Sequence, residues 1–442
     1  MSIANWSKAA QKLYRQRWRI WVIACLAHTI GMFHRAAIAP MADRFMADFG
    51  LSATAFGGLA AVYFYIYAAM QLPSGILADT MGPRKTITVG LLLSGAGSVL
   101  MSLAPSFGIL YVGRIIVSFG VSIVWLSVIK LVMEWFHRQE LATITGFTVS
   151  LANLGVIAAS TPLALLIISV GWRRSLMIAS LATFALAAAN WFIIRNSPAQ
   201  IGLPPIEPKE QTVPQAAASL DSLGLAQKLK NVFRNKSLWP LFLLGLGVYG
   251  AYATLFHSWA VVYLMQTYGI QRGSAANFIL VATIGLMAGG PLVGYLSDRF
   301  FQQRRRPAVM FTGIALVSFL LITFWNGGRP PLGVLYPLCF FVGLGMSSAL
   351  LNFAYIRDTV QPSLQGTASG LVNMGGFVGA SLTQPLFGYI LDLGWGGEMV
   401  EGIRVYPVQA FQHGLLLCCG LAALGFLGAL LMKSEIKEGS TS

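Results

Sequence analysis

Six side chains that can carry positive charge fall inside otherwise apolar stretches: His28, His34, Arg35, Arg114, Lys130 and His257. An ionisable group in hydrocarbon costs about 3 kcal/mol or more, so each of them calls for a reason. The acids are distributed differently. All 15 Asp+Glu, from Asp43 to Glu438, fall in connecting segments or at the ends of apolar stretches. Buried cations without a central carboxylate suit an anionic ligand, whose charge takes the place of the absent counter-ion. Arg35 leads this set, because a guanidinium can hold a carboxylate or phosphate through two parallel bonds. His34 points about 100° round a helix from Arg35, so only one of the two faces a ligand squarely. Lys130 has Glu134 four residues later, the spacing of a helical ion pair, and its stem is long enough to reach an interface. His257 titrates near neutrality and is a candidate for a proton-linked step.

Uncharged candidates accompany these cations: Tyr63, Tyr67, Trp125, Tyr252, Asn352, Tyr355, Asn373 and Gln384. Packing is the commoner role for each. Other chemistries lack their residues. Cys25, Cys339, Cys418 and Cys419 sit within apolar stretches, with neither metal-ligand nor redox spacing. A glycine-rich nucleotide loop, a metal-spaced His/Cys set and a nucleophile–base pair are all missing, which argues against an enzyme, a metal site or a bound cofactor.

The elements that position these residues follow from composition. Of 442 residues, 56% are hydrophobic and 10% charged, against roughly a quarter charged in soluble domains. Apolar blocks of about twenty residues match the helix length that crosses hydrocarbon. Twelve are expected, near 20–42, 53–78, 85–104, 108–135, 140–169 and 173–194, then 238–265, 274–297, 307–325, 331–357, 364–391 and 408–432. The polar stretch 195–237 reads as a linker with an amphipathic piece, Leu220 to Phe233, lying on the membrane surface. The expected division is 1–194, linker 195–237 and 238–442. The basic N-terminus followed by a long apolar run reads as a retained first helix rather than a cleaved leader.

Net charge is +15, which in a soluble chain would raise the question of nucleic acid. Here it reads as loop charge. With the N-terminus inside, 21 of the 30 Lys+Arg fall on the cytoplasmic side and 6 opposite, namely Arg44, Arg173, Arg174, Arg272, Arg329 and Arg404. That asymmetry puts both termini in the cytoplasm.

The two halves repeat. A shift of 219 pairs Gly31 with Gly250, Gly50 with Gly269, Gly75 with Gly294 and Asp79 with Asp298, and a shift of 224 pairs Gly146 with Gly370 and Gly155 with Gly379. After the second span stands Gly75-Ile-Leu-Ala-Asp79-Thr-Met-Gly82-Pro-Arg84-Lys85, and in the second half Gly294-Tyr-Leu-Ser-Asp298-Arg299 followed by Arg304–Arg306. This pair of loops resembles the signature of the major facilitator superfamily. Arg114 and the Glu134-Trp135-Phe136 end of the fourth span resemble that family's fourth helix. The resemblance covers essentially the whole chain. It implies an all-α membrane protein of twelve transmembrane helices in two six-helix pseudo-symmetric halves. It also implies that Gly75, Asp79, Gly82, Arg84, Lys85, Arg114, Glu134, Gly294, Asp298 and Arg299 serve a gate rather than the substrate.

Part of the chain is similar to the organophosphate–phosphate antiporter branch: Arg17-Trp18, Arg35, Pro198 to Pro205, Ser297 to Phe300, and Trp259 to Leu264. That branch carries a second cavity arginine in its seventh helix. Here Tyr252, Ala253 and Thr254 stand in that region, and the repeat partner of Arg35 is Thr254. A dianion would lose half of its clamp, so a carboxylate is as good a candidate as a phosphate ester. The expected function is a monomeric secondary transporter in a bacterial inner membrane, taking up a small organic anion, with protons as a candidate coupling ion. The alternatives are a proton-antiporting exporter of drugs or metabolites, and a ligand receptor of the same fold. The first is weakened because the fifth helix, Gly146 to Pro162, lacks the paired glycine and proline pattern of such exporters.

Overall fold

The computed structural model describes residues 8–137, 140–203, 225–400 and 403–433. Ten helical stretches within them are long and apolar enough to cross a membrane. The helices Ala53–Ala69 and Gln71–Thr80 supply the second span and Pro362–Leu393 the eleventh, which completes twelve. Several spans are interrupted rather than straight. The fourth breaks between Phe107–Ser122 and Val124–Trp135, and the fifth at Ser160, just before Pro162. The seventh passes through a π-helical turn, Leu255–Trp259, between Trp239–Thr254 and Ala260–Tyr268. One feature departs from an all-helical reading: Met399–Val400 pairs antiparallel with Ile403–Arg404. The expected 195–237 linker lies partly outside the described residues; within it Leu225–Arg234 is helical.

The chain divides into two compact units, Met1–Ala37 with Ile66–Gln211, and Ile38–Tyr65 with Thr212–Ser442. In the first unit, the first span packs on the fifth at Gly155, where a Cβ would overlap the Thr29 carbonyl oxygen and lie 2.9 Å from the Phe33 nitrogen. The second unit repeats the device. A Cβ on Gly379 of the eleventh span would overlap the Leu246 carbonyl oxygen and lie 3.2 Å from Cα of Gly250 in the seventh. Close backbone approach through small residues is how helices associate where lipid offers no hydrophobic drive. Around these contacts each unit has its own apolar cluster. Ile20, Ile87, Leu131 and Trp135 belong to the one, and Leu241, Leu244, Phe311 and Leu371 to the other.

Candidate functional site

In the first unit the cations separate by role. Arg114 is 1% exposed, and its guanidinium donates to the carbonyls of His34 (2.8 Å) and Arg35 (3.3 Å). These carbonyls end the helix Lys8–Ala36 and lack helical partners of their own, so Arg114 acts as a cationic cap at a helix C-terminus. His34 turns toward the sixth span, with Nε2 2.9 Å from Thr183 Oγ1. The half-buried Arg35 side chain shares a helix face with His28, two turns earlier. The two interact electrostatically, and the His28 ring packs on Trp125 with centroids 4.5 Å apart. His28 belongs with the candidates; its seven-residue spacing from Arg35 is the signal that finds it. Lys130 donates to the Ala78 carbonyl at 3.1 Å, near the end of the helix Gln71–Thr80. Tyr67 is buried and Glu134 half-buried.

In the second unit the candidates gather around His257, which is carried on the π-helical turn and is 2% exposed. Its ring lies 5.5 Å from that of Tyr252, edge-on, and 6.3 Å from those of Tyr249 and Phe64, with Phe64 stacked. Tyr63 meets Phe64 edge-on at 5.2 Å, and Phe377 meets Tyr249 at 5.6 Å. Single-turn π-bulges are frequent at functional sites because they re-aim a side chain within a helix. Thr254, the repeat partner of Arg35, is fully buried with Oγ1 2.5 Å from Thr383 Oγ1. Gln384, one residue on, donates to the Ala253 carbonyl at 3.4 Å and has a buried Oε1 with no acceptor role filled. Asn352 donates to the Leu241 carbonyl at 3.2 Å. Tyr355 belongs to the apolar cluster with Leu241 and Leu371, and Asn373 is exposed.

The two signature loops are built differently. In the first, Gly82 adopts φ +80°, and a Cβ there would lie 2.5 Å from the Asn196 amide nitrogen. Asn196 Oδ1 accepts from the Arg84 backbone nitrogen at 2.8 Å. The Arg84 side chain donates to the Trp191 carbonyl at 2.8 Å and lies over the Trp191 ring at 4.4 Å. Gly75 and Lys85 flank this turn, Lys85 exposed; the Asp79 side chain lies outside the described residues. In the second loop, beyond Gly294, Arg304 pairs with Asp298, with Asp358 at 2.9 Å and with Ser297 Oγ at 2.8 Å. Burial works against the Arg304 charge, but the two carboxylates outweigh it and hold its pKa above the ordinary value. Arg299 is exposed.

Two acids and an arginine prove more buried than their sequence neighbourhood suggests. Asp43, expected at a helix end, lies in a helix that continues to Phe49. It pairs with Arg272, which also donates to the Pro40 carbonyl. Arg272, expected in a loop, is 5% exposed. Asp392 accepts from the backbone nitrogens of Ala53 (3.0 Å) and Thr54 (2.8 Å), from Thr54 Oγ1, and from Tyr406 and Arg404. It thereby caps the N-terminus of the helix Ala53–Ala69. Burial pushes the Tyr406 phenol pKa up, and the Asp392 charge adds to the rise. These contacts hold 38–65 within the second unit.

Paired glycine contacts, two signature loops and twelve spans therefore occur together, and the sequence profile of the Major Facilitator Superfamily matches residues 24–384. The chain belongs to the major facilitator superfamily. It is 26% identical over 425 residues to a probable sulfoacetate transporter of Cupriavidus necator, covering 94% of this chain and 95% of that one. It is 24% identical over 434 residues to the membrane sensor protein UhpC of Salmonella typhimurium, covering 92% and 91%. In fold it is similar to a bacterial homologue of the human lysosomal transporter Spinster, solved inward-facing and unoccupied, with TM-score 0.76, 19% identity and coverage of 94% and 97%. Membership of the superfamily makes this an integral membrane protein built as a transporter.

Proposed function

We propose that this superfamily member takes up a small organic anion, a carboxylate, sulfonate or phosphate ester, by alternating access, with protons as the coupling ion. The observation that carries the reading is the cationic face of the first span. Arg35 and His28 share it, while the buried Asp43 and the half-buried Asp392 are committed to Arg272 and to a helix N-terminus. A guanidinium at that depth gains most from a ligand that brings a negative charge. The likeness to a sulfoacetate transporter supports the same class. The 21-to-6 charge count supports a bacterial plasma membrane topology with both termini cytoplasmic, and an Ala199→Cys label should then be inaccessible from outside intact cells.

The test is uptake into proteoliposomes, with competition by sulfoacetate, sugar acids, glycerol phosphate, a neutral sugar and an amine. Inhibition confined to the anions is expected; inhibition by the amine alone would overturn the reading. A second reading, a ligand receptor of the same fold, is favoured by the likeness to a membrane sensor. Anion-induced thermal stabilisation without any uptake or counterflow would establish it in place of transport.

A further inference from the structure

The first unit carries an open-sided groove of about 680 Å³ between the start of the first span and the end of the sixth, lined by Trp18, Arg19, Val22, Phe192, Arg195 and Ile201 among others. Its depth follows from the chain. The uninterrupted apolar run of the first span starts at Ile20, and the sixth span ends at Ile193. The groove therefore sits where hydrocarbon gives way to headgroups, the level that tryptophans favour.

Its two ends differ chemically. The apolar end is exposed on the outside of the unit, with Val22 46% and Phe192 72% exposed. The polar end is cationic, and none of the groove's lining residues is acidic. Arg195 donates to the carbonyls of Phe192 (3.0 Å) and Ile194 (2.8 Å), which fixes its guanidinium at the rim. A guanidinium has five N–H donors, so such a site keeps donors for a ligand. Arg84, held over Trp191, is close enough to Arg195 for the two charges to act on one another. Glu140 is paired with Arg17 at 3.0 Å. Trp18 adds an independent observation: its indole N–H is buried and has no acceptor. A cationic rim, an orphan donor and an apolar trough together fit a ligand with anionic oxygens at one end and hydrocarbon at the other.

We propose that this groove binds an anionic phospholipid, its phosphodiester held by Arg19 and Arg195 and an acyl chain laid along Val22 and Phe192. Basic pockets between transmembrane helices bind such headgroups by the attraction that draws polybasic segments to anionic leaflets. A free phosphate would use the rim but leave the trough bare, which separates the two sources of the same chemistry.

The experiment uses delipidated, detergent-purified protein. Thermal stability and native mass spectra are read with phosphatidylglycerol, phosphatidylcholine or inorganic phosphate added. Phosphatidylglycerol should stabilise and remain bound, and phosphatidylcholine and inorganic phosphate should each do so far less. Arg19→Gln, an exposed position, should weaken phosphatidylglycerol about fivefold, and Arg19→Gln with Arg195→Gln more than tenfold. Arg195→Lys, which keeps the charge, should lose less than Arg195→Gln and shows whether loss of fold explains the result. Equal effects of the two lipids, equal effects of phosphate, or an unchanged response in Arg19→Gln would each overturn the proposal. Anion uptake is scored separately, so failure here leaves the transport reading standing.

Discussion

The first and seventh spans are repeat partners with the same scaffold and opposite polarity of design. Each lies against a neighbour whose glycine admits no side chain, Gly155 of the fifth span against the first and Gly379 of the eleventh against the seventh. The first ends its helix in a cluster of positive charge, with Arg114 capping the carbonyls of His34 and Arg35. The seventh continues through a π-helical turn and places Thr254, bonded to Thr383, where the first has Arg35. The two copies thus share their packing, while the permanent charge of Arg35 is matched by a neutral Thr254. In the proposed function the negative charge is recognised by the first copy, and the second offers rings and neutral polar groups around His257.

That contrast can be broken most directly at Arg35. Arg35→Ala should abolish uptake, and Arg35→Lys should lower anion affinity thirtyfold or more, since truncating such a contact costs roughly 2–5 kcal/mol. Isothermal titration with an anion would show it, and wild-type affinity in Arg35→Lys would remove the charge asymmetry from the mechanism. Next in size is Arg114→Met. With two carbonyls left uncapped, the melting temperature should fall by the equivalent of about 1–3 kcal/mol, an effect with no counterpart in the seventh span. Gly155→Ala and Gly379→Ala sharpen the shared part of the comparison. Both should destabilise, by similar amounts of about 1–3 kcal/mol, because each must push two helices apart. A large loss at one and none at the other would mean that the repeat is not a packing repeat. The smallest change is expected for Thr254→Val. It removes a neutral hydrogen bond worth about 1 kcal/mol and should leave anion affinity within a few fold.

The spans were legible because a run of apolar residues of the right length is a local signal, and the signature loops because their residues stand within a few positions of one another. Arg35 was legible for the same reason: an arginine deep in an apolar run stands out by itself. The partners were not. Asn196 supports Arg84 from 112 positions away, Arg272 finds Asp43 across 229, and Asp392 caps Thr54 across 338. A single sequence records which residues are polar but not which polar residues meet. For the same reason Asp43 was read as a helix-end charge and Arg272 as a loop charge, when pairing is what permits their burial. The π-helical turn at Leu255–Trp259 left no mark either, because adding one residue to a helical turn alters no composition.

The cap that Asp392 places on the helix beginning at Ala53 also has a consequence for how the protein is made. Chains are synthesised from the N-terminus at about 5–20 residues per second. The second span therefore leaves the ribosome some tens of seconds before its carboxylate exists. Through that interval the amides of Ala53 and Thr54 depend on water or on the insertion machinery. The segment 38–65 is consequently among the first parts of the chain to be threaded into the membrane and among the last to be locked. A nascent chain that stops short of the eleventh span would leave its second helix without the fastening that completes it.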